Sequence, residues 1–280
     1  MNNRTLVNIG LFVFLIISIF IFSNRNDNIN INLLTSMNTD KINTIQIHKN
    51  STHDIKFNKD NNNIWRMTSP YNLKAHQFRI NTLLGLIQTP VDTRYDIEAL
   101  DLSDYALEPP RARITFDQTD VLFGKTNPVN NKRYLLADNK MVLLNDQVYP
   151  LVSAQAASFI DLSLIPDDFT IKRIETPSTL IQLVNDTWES SKANKLNADQ
   201  IQSLLQHWKS AQAFAVHKYM PRKQLGKIEI RDRSETITFE ITDDDPWLIL
   251  AIPEINIEYH LDNSLKNILY GNLKPDSPDA

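Results

Sequence analysis

Residues 75–84 read AHQFRINTLL and residues 196–205 read LNADQIQSLL. Shifted by 121 positions, Ala75, Ile80, Leu83 and Leu84 fall on Leu196, Ile201, Leu204 and Leu205. Ile80, Leu83, Leu84 and Ile87 have the i, i+3, i+4, i+7 spacing of one helical face, which predicts a helix over about residues 73–87. Ile201, Leu204, Leu205, Trp208 and Ala211 predict a second over about 198–214. Asn197 stands at its N-cap and Gln200 three residues on, the spacing of a capping box.

The flanks of the two helices match as well. Strands are expected at Ile42, Ile45 and Ile47 and at Ile55 and Phe57 before Trp65, and at Ile171 and Ile174 and at 180–184 before Trp188. After the first helix come strands at 112–116, 121–123, 133–136 and 141–144; after the second, at 227–230, 236–241, 247–252 and 254–259. Alternation such as Ile237, Phe239, Ile241 marks a sheet with one wet face. The order β-β-α-β-β-β-β, twice, implies an α+β duplication: two similar lobes, each an antiparallel sheet covered by a helix. The expected division is lobe 1 over 41–166, lobe 2 over 167–273 and a tail over 274–280. A hinge is expected near residues 165–169, where Pro166, Asp167 and Asp168 interrupt the pattern.

The chain ahead of the lobes sets an expected location. Residues 6–23 form an uncharged apolar stretch, LVNIGLFVFLIISIFIFS. At about 1.5 Å per residue it spans roughly 27 Å, close to the roughly 30 Å hydrocarbon core of a bilayer. A cleaved signal peptide is the alternative, but Ile21, Phe22 and Ser23 offer no A-x-A site. Residues 1–23 are therefore read as a membrane anchor and the Asn-rich 24–40 as a spacer. Arg4 on one side is nearly balanced by Arg25 and Asp27 on the other. The short N-terminal tail favours N-inside insertion, so the expectation is a single-pass protein with its body on the outer side of the membrane.

Composition excludes several chemistries. With no cysteine there is no disulfide framework, Cys-ligated metal or Cys nucleophile. A net charge of -4 argues against nucleic-acid binding, which needs a clustered basic surface. Gly124-Lys125-Thr126 resembles the end of a phosphate loop, but Thr119 occupies the position of the loop's first glycine, so a turn between strands is expected. His48, His53, His76, His207, His217 and His260 form no H-x-x-x-H pair. His48 and His53 flank a turn and are read as surface imidazoles. His207 is read as a boundary residue of its helix. The acidic run Asp243, Asp244, Asp245 lacks the glycine and distal Glu of a calcium loop and is read as a solvated turn. Asp101 and Asp104 would suit glycoside chemistry only at a defined separation. His217, Lys218, Arg222 and Lys223 make a small basic patch, read as a solvated loop. Trp65 and Trp188, at equivalent points, are read as core rather than as a binding platform. The expectation is a non-enzyme: no catalytic, cofactor-binding or metal residue is named, and the binding residues are unknown.

Three stretches carry a family resemblance: residues 64–70 (IWRMTSP) with the helix after them, residues 102–110 (LSDYALEPP), and residues 121–126 (VLFGKT) leading into 132–136 (KRYLL). Together they resemble DUF4340, a bacterial family of unknown function, best over about 42–166 and more loosely beyond. In such sequences the second stretch usually reads Tyr-Gly-Leu. Ala106 stands at the Gly position here, which counts against a positive φ. The resemblance implies a membrane-anchored envelope protein of the bacterial inner membrane with its body in the periplasm, with lipid through its N-terminal helix and another envelope or membrane protein, such as ABC-type transporter components, as partners. It brings no catalytic residue. The alternatives are a ligand-binding module with an inter-lobe cleft and, behind it, a hydrolase with an unfamiliar site.

Overall fold

The computed structural model describes residues 32–49, 53–191 and 195–272. The expected anchor, most of the spacer and the tail lie outside this set. Among the described residues no helix is long and apolar enough to cross a membrane. The fold is mixed α+β, with two antiparallel sheets and few helices.

In lobe 1, strands β1 (Thr44–His48), β2 (Ile55–Lys59), β3 (Trp65–Ser69) and β4 (Leu73–Lys74) lead into helix α1 (Gln77–Ile87). Then come β5 (Arg94–Asp96), β6 (Ala112–Phe116), β7 (Thr119–Thr126), β8 (Arg133–Ala137), β9 (Lys140–Leu144) and the short α2 (Tyr149–Ser153). Lobe 2 comprises β10 (Arg173–Glu175), β11 (Leu180–Val184), β12 (Thr187–Ser191), α3 (Ala198–Ser210), β13 (Ala215–Lys218), β14 (Gly226–Arg231), β15 (Thr236–Asp243), β16 (Trp247–Ile252), β17 (Ile257–Asp262) and α4 (Leu265–Leu269). The first sheet has the order β4-β3-β2-β1-β6-β7-β8-β9-β5 and the second β12-β11-β10-β14-β15-β16-β17-β13. Apart from β4, the two are wired identically.

The wiring follows from chain length. Neighbouring strands close through tight hairpins, as at 117–118 between β6 and β7, where Asp117 takes φ 50°. The step from β3 to β5 must instead cross a whole sheet, so it needs a helix that can bury one face. The stripe of α1 (Ile80, Leu83, Leu84, Ile87) and that of α3 (Ile201, Leu204, Leu205, Trp208) supply it. The capping box at Asn197 and Gln200 is present and starts α3. Trp208 is fully buried, stacks on Phe239 of β15 at 6.0 Å, and donates its indole N–H to Leu269 O at 3.0 Å, fixing α4.

From each edge strand, β5 or β13, the chain returns to the sheet centre across the face opposite the helix. Residues 97–111 do this in lobe 1. The Tyr105 carbonyl and Leu107 rest on Gly124 of β7, where an ideal Cβ would lie only 2.4 Å from that carbonyl oxygen. Residues 219–225 do it in lobe 2, with the Met220 and Arg222 donors reaching Glu258 of β17 and Leu225 N–H reaching Ile241 O. One hydrophobic cluster runs through both lobes, from Leu34 to Tyr270.

Several expectations need correction. Lobe 1 has four strands before its helix and lobe 2 three, because Trp65 and Trp188 lie within β3 and β12 and β4 takes the expected start of the first helix; each lobe also has an edge strand after its helix that the periodicity missed. The second helix ends at Ser210, short of the expected 214, and β13 starts directly after that expected end, at Ala215. The last strand begins at Ile257, after a 3-10 turn over Pro253–Ile255. Residues 32–35, expected within the spacer, are packed: Leu34 and Thr35 are buried, and Arg94 donates to the carbonyls of Leu33 and Leu34. Ala106 does adopt the left-handed conformation, at φ 54° and ψ 41°, ending a 3-10 turn whose Asp101 cap accepts from Ser103 N–H at 3.0 Å.

Candidate functional site at the lobe junction

Residues 159–164 join the lobes as an added strand between two sheet edges. On the lobe 1 side His76 N–H donates to Phe159 O at 2.7 Å and Asp161 N–H to Lys74 O at 2.9 Å. On the lobe 2 side Ala213 N–H donates to Leu162 O at 2.8 Å and Leu164 N–H to Ala211 O at 3.3 Å. The extra strand β4 therefore has a purpose: it extends lobe 1 to meet this segment. The expected hinge residues are not a loose joint, since Ile165 and Phe169 are 3% and 5% exposed and Phe169 N–H closes a turn on Pro166 O.

Two clefts adjoin this junction, and their charges differ in sign. The first, about 290 Å³, has Ile160, Leu164 and Tyr259 in its wall and Asp161, Asp167 and Asp168 around it, against Arg66 and Lys74. Lys74 pairs with Asp167 at 2.6 Å and with Asp161 at 3.7 Å. The Asp167 hydrogen bond, against some burial, holds the Lys74 ammonium above its usual range. Burial, with Asp161 adding to it, pushes the Tyr259 phenol up to about 12. This cleft is self-neutralised in part and its Lys74 is committed.

The second cleft is larger, about 530 Å³, and lies between β2 and α2 of lobe 1 and the end of β13 in lobe 2. Its ionised side chains are Lys49 and Lys218, and no carboxylate lines it. Lys49 donates its ammonium to Val152 O at 2.6 Å and Ala154 O at 2.9 Å. Burial holds its pKa below the usual lysine value.

A third feature lies on the outer face of lobe 2. Glu258 is 1% exposed, accepts from Met220 N–H at 3.0 Å and from both terminal nitrogens of Arg222 at 3.0 and 3.2 Å, and meets His260 at 2.8 Å. Burial pushes its carboxyl pKa up, but the Met220, His260 and Arg222 donors outweigh burial and leave it below the usual range. The His217 ring lies 4.7 Å from that of His260. Beside them Phe214 meets Trp247 edge-on at 5.0 Å, with 53% and 46% exposure.

Sequence candidates disperse over this framework. The basic patch is split: Arg222 neutralises Glu258, His217 meets His260 edge-on, and Lys218 and Lys223 stay exposed. His48 bonds Thr115 at 2.8 Å and lies 3.3 Å from Asp54, while His53 is exposed. His207 bonds Ser203 O within its own helix. Asp101 is a cap, and Asp104 is exposed beside it. Gly124 belongs to β7 and is a crossing point for the chain, not a phosphate loop. Trp65 is core, at 2% exposure, whereas Trp188 is only half-buried. Among the described residues no group of three or more His, Cys, Asp or Glu is placed to hold a metal ion. Glu258, Lys49 and the Phe214–Trp247 pair went unnoticed in the sequence. A charged residue between Ile257 and Tyr259 in an apolar strand was the one available signal.

The family described as "Domain of unknown function (DUF4340)" matches residues 65–224, more than half of the chain. The chain belongs to the DUF4340 family. The DUF4340 span opens at Trp65 in β3 and closes within the crossing segment of lobe 2. It runs past the lobe boundary that the resemblance suggested and contains the whole junction segment, the β4 extension and β13. No curated protein and no solved structure matches this chain.

Proposed function

We propose that this DUF4340 protein is a non-catalytic, single-pass envelope protein. Residues 6–23 anchor it in the inner membrane, and the two-lobed body works in the periplasm as an interaction domain for another membrane or envelope protein, in the manner of an accessory component of an ABC-type transport complex. The two lobes are then copies of one unit, a reading supported by their shared strand order.

The observation that carries the interaction reading is the Phe214–Trp247 pair. Large aromatics that remain about half exposed, held edge-on by each other and by a rigid floor, are the side chains that dominate binding energy at protein interfaces. Their floor is rigid because Glu258, Arg222 and His260 are mutually satisfied. Met220 and Leu225, both more than half exposed, belong to the segment that crosses the same face.

The test is photo-crosslinking in cells, with a benzophenone amino acid at position 214 or 247 and, as a control, at the exposed Phe78 of lobe 1. A discrete membrane-sedimenting adduct from 214 and 247 but not from 78 is the expected result. No adduct, or the same adducts from all three positions, overturns it.

A second reading, a ligand-binding module using an inter-lobe cleft, is favoured by the 530 Å³ cleft beside Lys49. That volume lies within the range typical of small-molecule sites, roughly 300–1,000 Å³.

A further inference from the structure

The larger cleft has a chemistry of its own. The protein carries a net charge of -4, yet the ionised side chains lining this cleft are two lysines, one from each lobe. Lys49 holds its ammonium against two backbone carbonyls, which orient it without neutralising it. An ammonium has three N–H donors, so one remains for a ligand. The nearest carboxylate along the chain, Asp54, is engaged elsewhere: it accepts from the Lys49 backbone N–H at 3.0 Å and from Gln46 at 2.6 Å, and it faces His48. Lys218, exposed at the end of β13, makes no ion pair among the described residues. Tyr71, Ser153, Gln155 and Asn256 add neutral polar groups to the wall. His53, exposed at the rim, lines it too, and the remaining wall is apolar, with Ile55 and Ala157 at 1% and 2% exposure and Pro70 beside them.

A half-buried lysine without a counter-ion, as Lys49 is, has its charged form disfavoured, and an anion entering beside it relieves part of that cost. A wall with apolar side chains at one part and two cations at another favours a ligand that is itself divided in the same way.

We propose that this inter-lobe cleft binds a small anionic amphiphile, its carboxylate or phosphate held by Lys49 and Lys218 and its apolar body laid against Ile55, Pro70 and Tyr71. The proposal rests on the ligand-binding reading above and adds the charge and the division of the ligand.

The experiment uses the full chain in nanodiscs of zwitterionic phosphatidylcholine, with empty-disc heats subtracted in isothermal titration. The probes are benzoate, phenyl phosphate, inorganic phosphate, benzylamine and benzyl alcohol. Benzoate or phenyl phosphate should bind about tenfold or more tighter than benzylamine and benzyl alcohol, and inorganic phosphate should bind more weakly than phenyl phosphate. Lys218→Glu, at an exposed position without an ion-pair partner among the described residues, should weaken the anions about tenfold while the unfolding temperature stays unchanged. Lys49→Met should also abolish binding, but it removes two hydrogen bonds to the backbone, so Lys218→Glu carries the decision. Equal binding of anions, amine and alcohol, or unaltered anion binding by Lys218→Glu, overturns the charge assignment and leaves the ligand reading standing. Phosphate binding as tight as phenyl phosphate overturns the apolar part. Failure of every probe overturns both readings.

Discussion

Two glycines in this chain should respond to the same substitution with opposite signs. Gly124 sits in β7 between β6 and β8, so the strand cannot retreat, and the returning segment lies directly on it. An added Cβ would be 2.4 Å from Tyr105 O and 3.1 and 3.2 Å from Leu107 side-chain atoms. The first is a backbone atom, and Leu107 is 2% exposed, so neither can swing aside. The segment must lift by roughly 1 Å, an overpacking event that costs about 1–3 kcal/mol. At about 2–4 °C per kcal/mol for a domain of this size, Gly124→Ala should lower the unfolding temperature by about 2–12 °C. Gly85 is the contrast. It is exposed within α1, with nothing within 4 Å of its Cβ position. Gly85→Ala should therefore stabilise by about 0.5–1 kcal/mol, through the lower entropy of the unfolded chain. Urea unfolding followed by tryptophan fluorescence reads both, with m unchanged if only stability moves. A Gly124→Ala midpoint equal to wild type, or a loss of the same size at Gly85, would refute the crossing geometry.

Two further outcomes follow from the same structure. Ala106 is in the left-handed region at φ 54°, where a Cβ costs about 1–2 kcal/mol. Ala106→Gly should return about 0.5–1 kcal/mol after glycine's own entropy is counted, seen as a higher urea midpoint; a lower midpoint would count against this conformation. Glu258→Gln should lose about 1–3 kcal/mol at pH 7, because it leaves Arg222 facing a neutral group. Its sign with pH is defined: the folded carboxyl pKa is below the usual value, so its stabilisation is complete above about pH 4.3 and disappears as pH falls through the folded value. Wild type should lose stability over that acid range more steeply than Glu258→Gln, and parallel curves would show that Glu258 makes no such contribution.

The sequence was most legible where periodicity and burial coincide. The stripes of α1 and α3, the Asn197 cap, and the hairpins β6–β7 and β14–β15 are all written in local residue order. The edge strands β5 and β13 were not, since a strand of three or four residues has too few positions to establish an alternation and carries polar residues on its open side. Trp65 and Trp188 lie in corresponding strands of the two sheets, yet only Trp65 is fully within the core, while Trp188 packs against it half-buried. The site features were harder still. Lys49 and Lys218 are 169 positions apart and meet only because 159–164 docks the edges. Glu258 stands between the buried Ile257 and Tyr259, and nothing local shows that residues 219–225 fold back over it. Ala106 shows the reverse case: its side chain argued against a conformation that the Asp101 cap and the buried Leu107 together impose.

The way the lobes join bears on which functions this fold can support. Both sheets run from a helix-entry edge (β4 or β12) to a far edge (β5 or β13). The junction sets the helix-entry edge of lobe 1 against the far edge of lobe 2, so the contact is head-to-tail and not isologous. Such a contact leaves one edge of each type outward, β5 and β12. Both are blunted: β5 is three residues long with Asp96 paired to Lys140, and β12 presents Thr187 and Glu189 to solvent. Further strand addition is thus disfavoured, while the shared segment is bonded through its backbone on both sides and backed by one continuous hydrophobic cluster. Lobe closure around a ligand would have to break those bonds and shear that cluster. The two proposed surfaces, the outer face of lobe 2 and the Lys49–Lys218 cleft, are accordingly preformed ones, and the geometry argues against any mechanism that depends on opening and closing at residues 165–169.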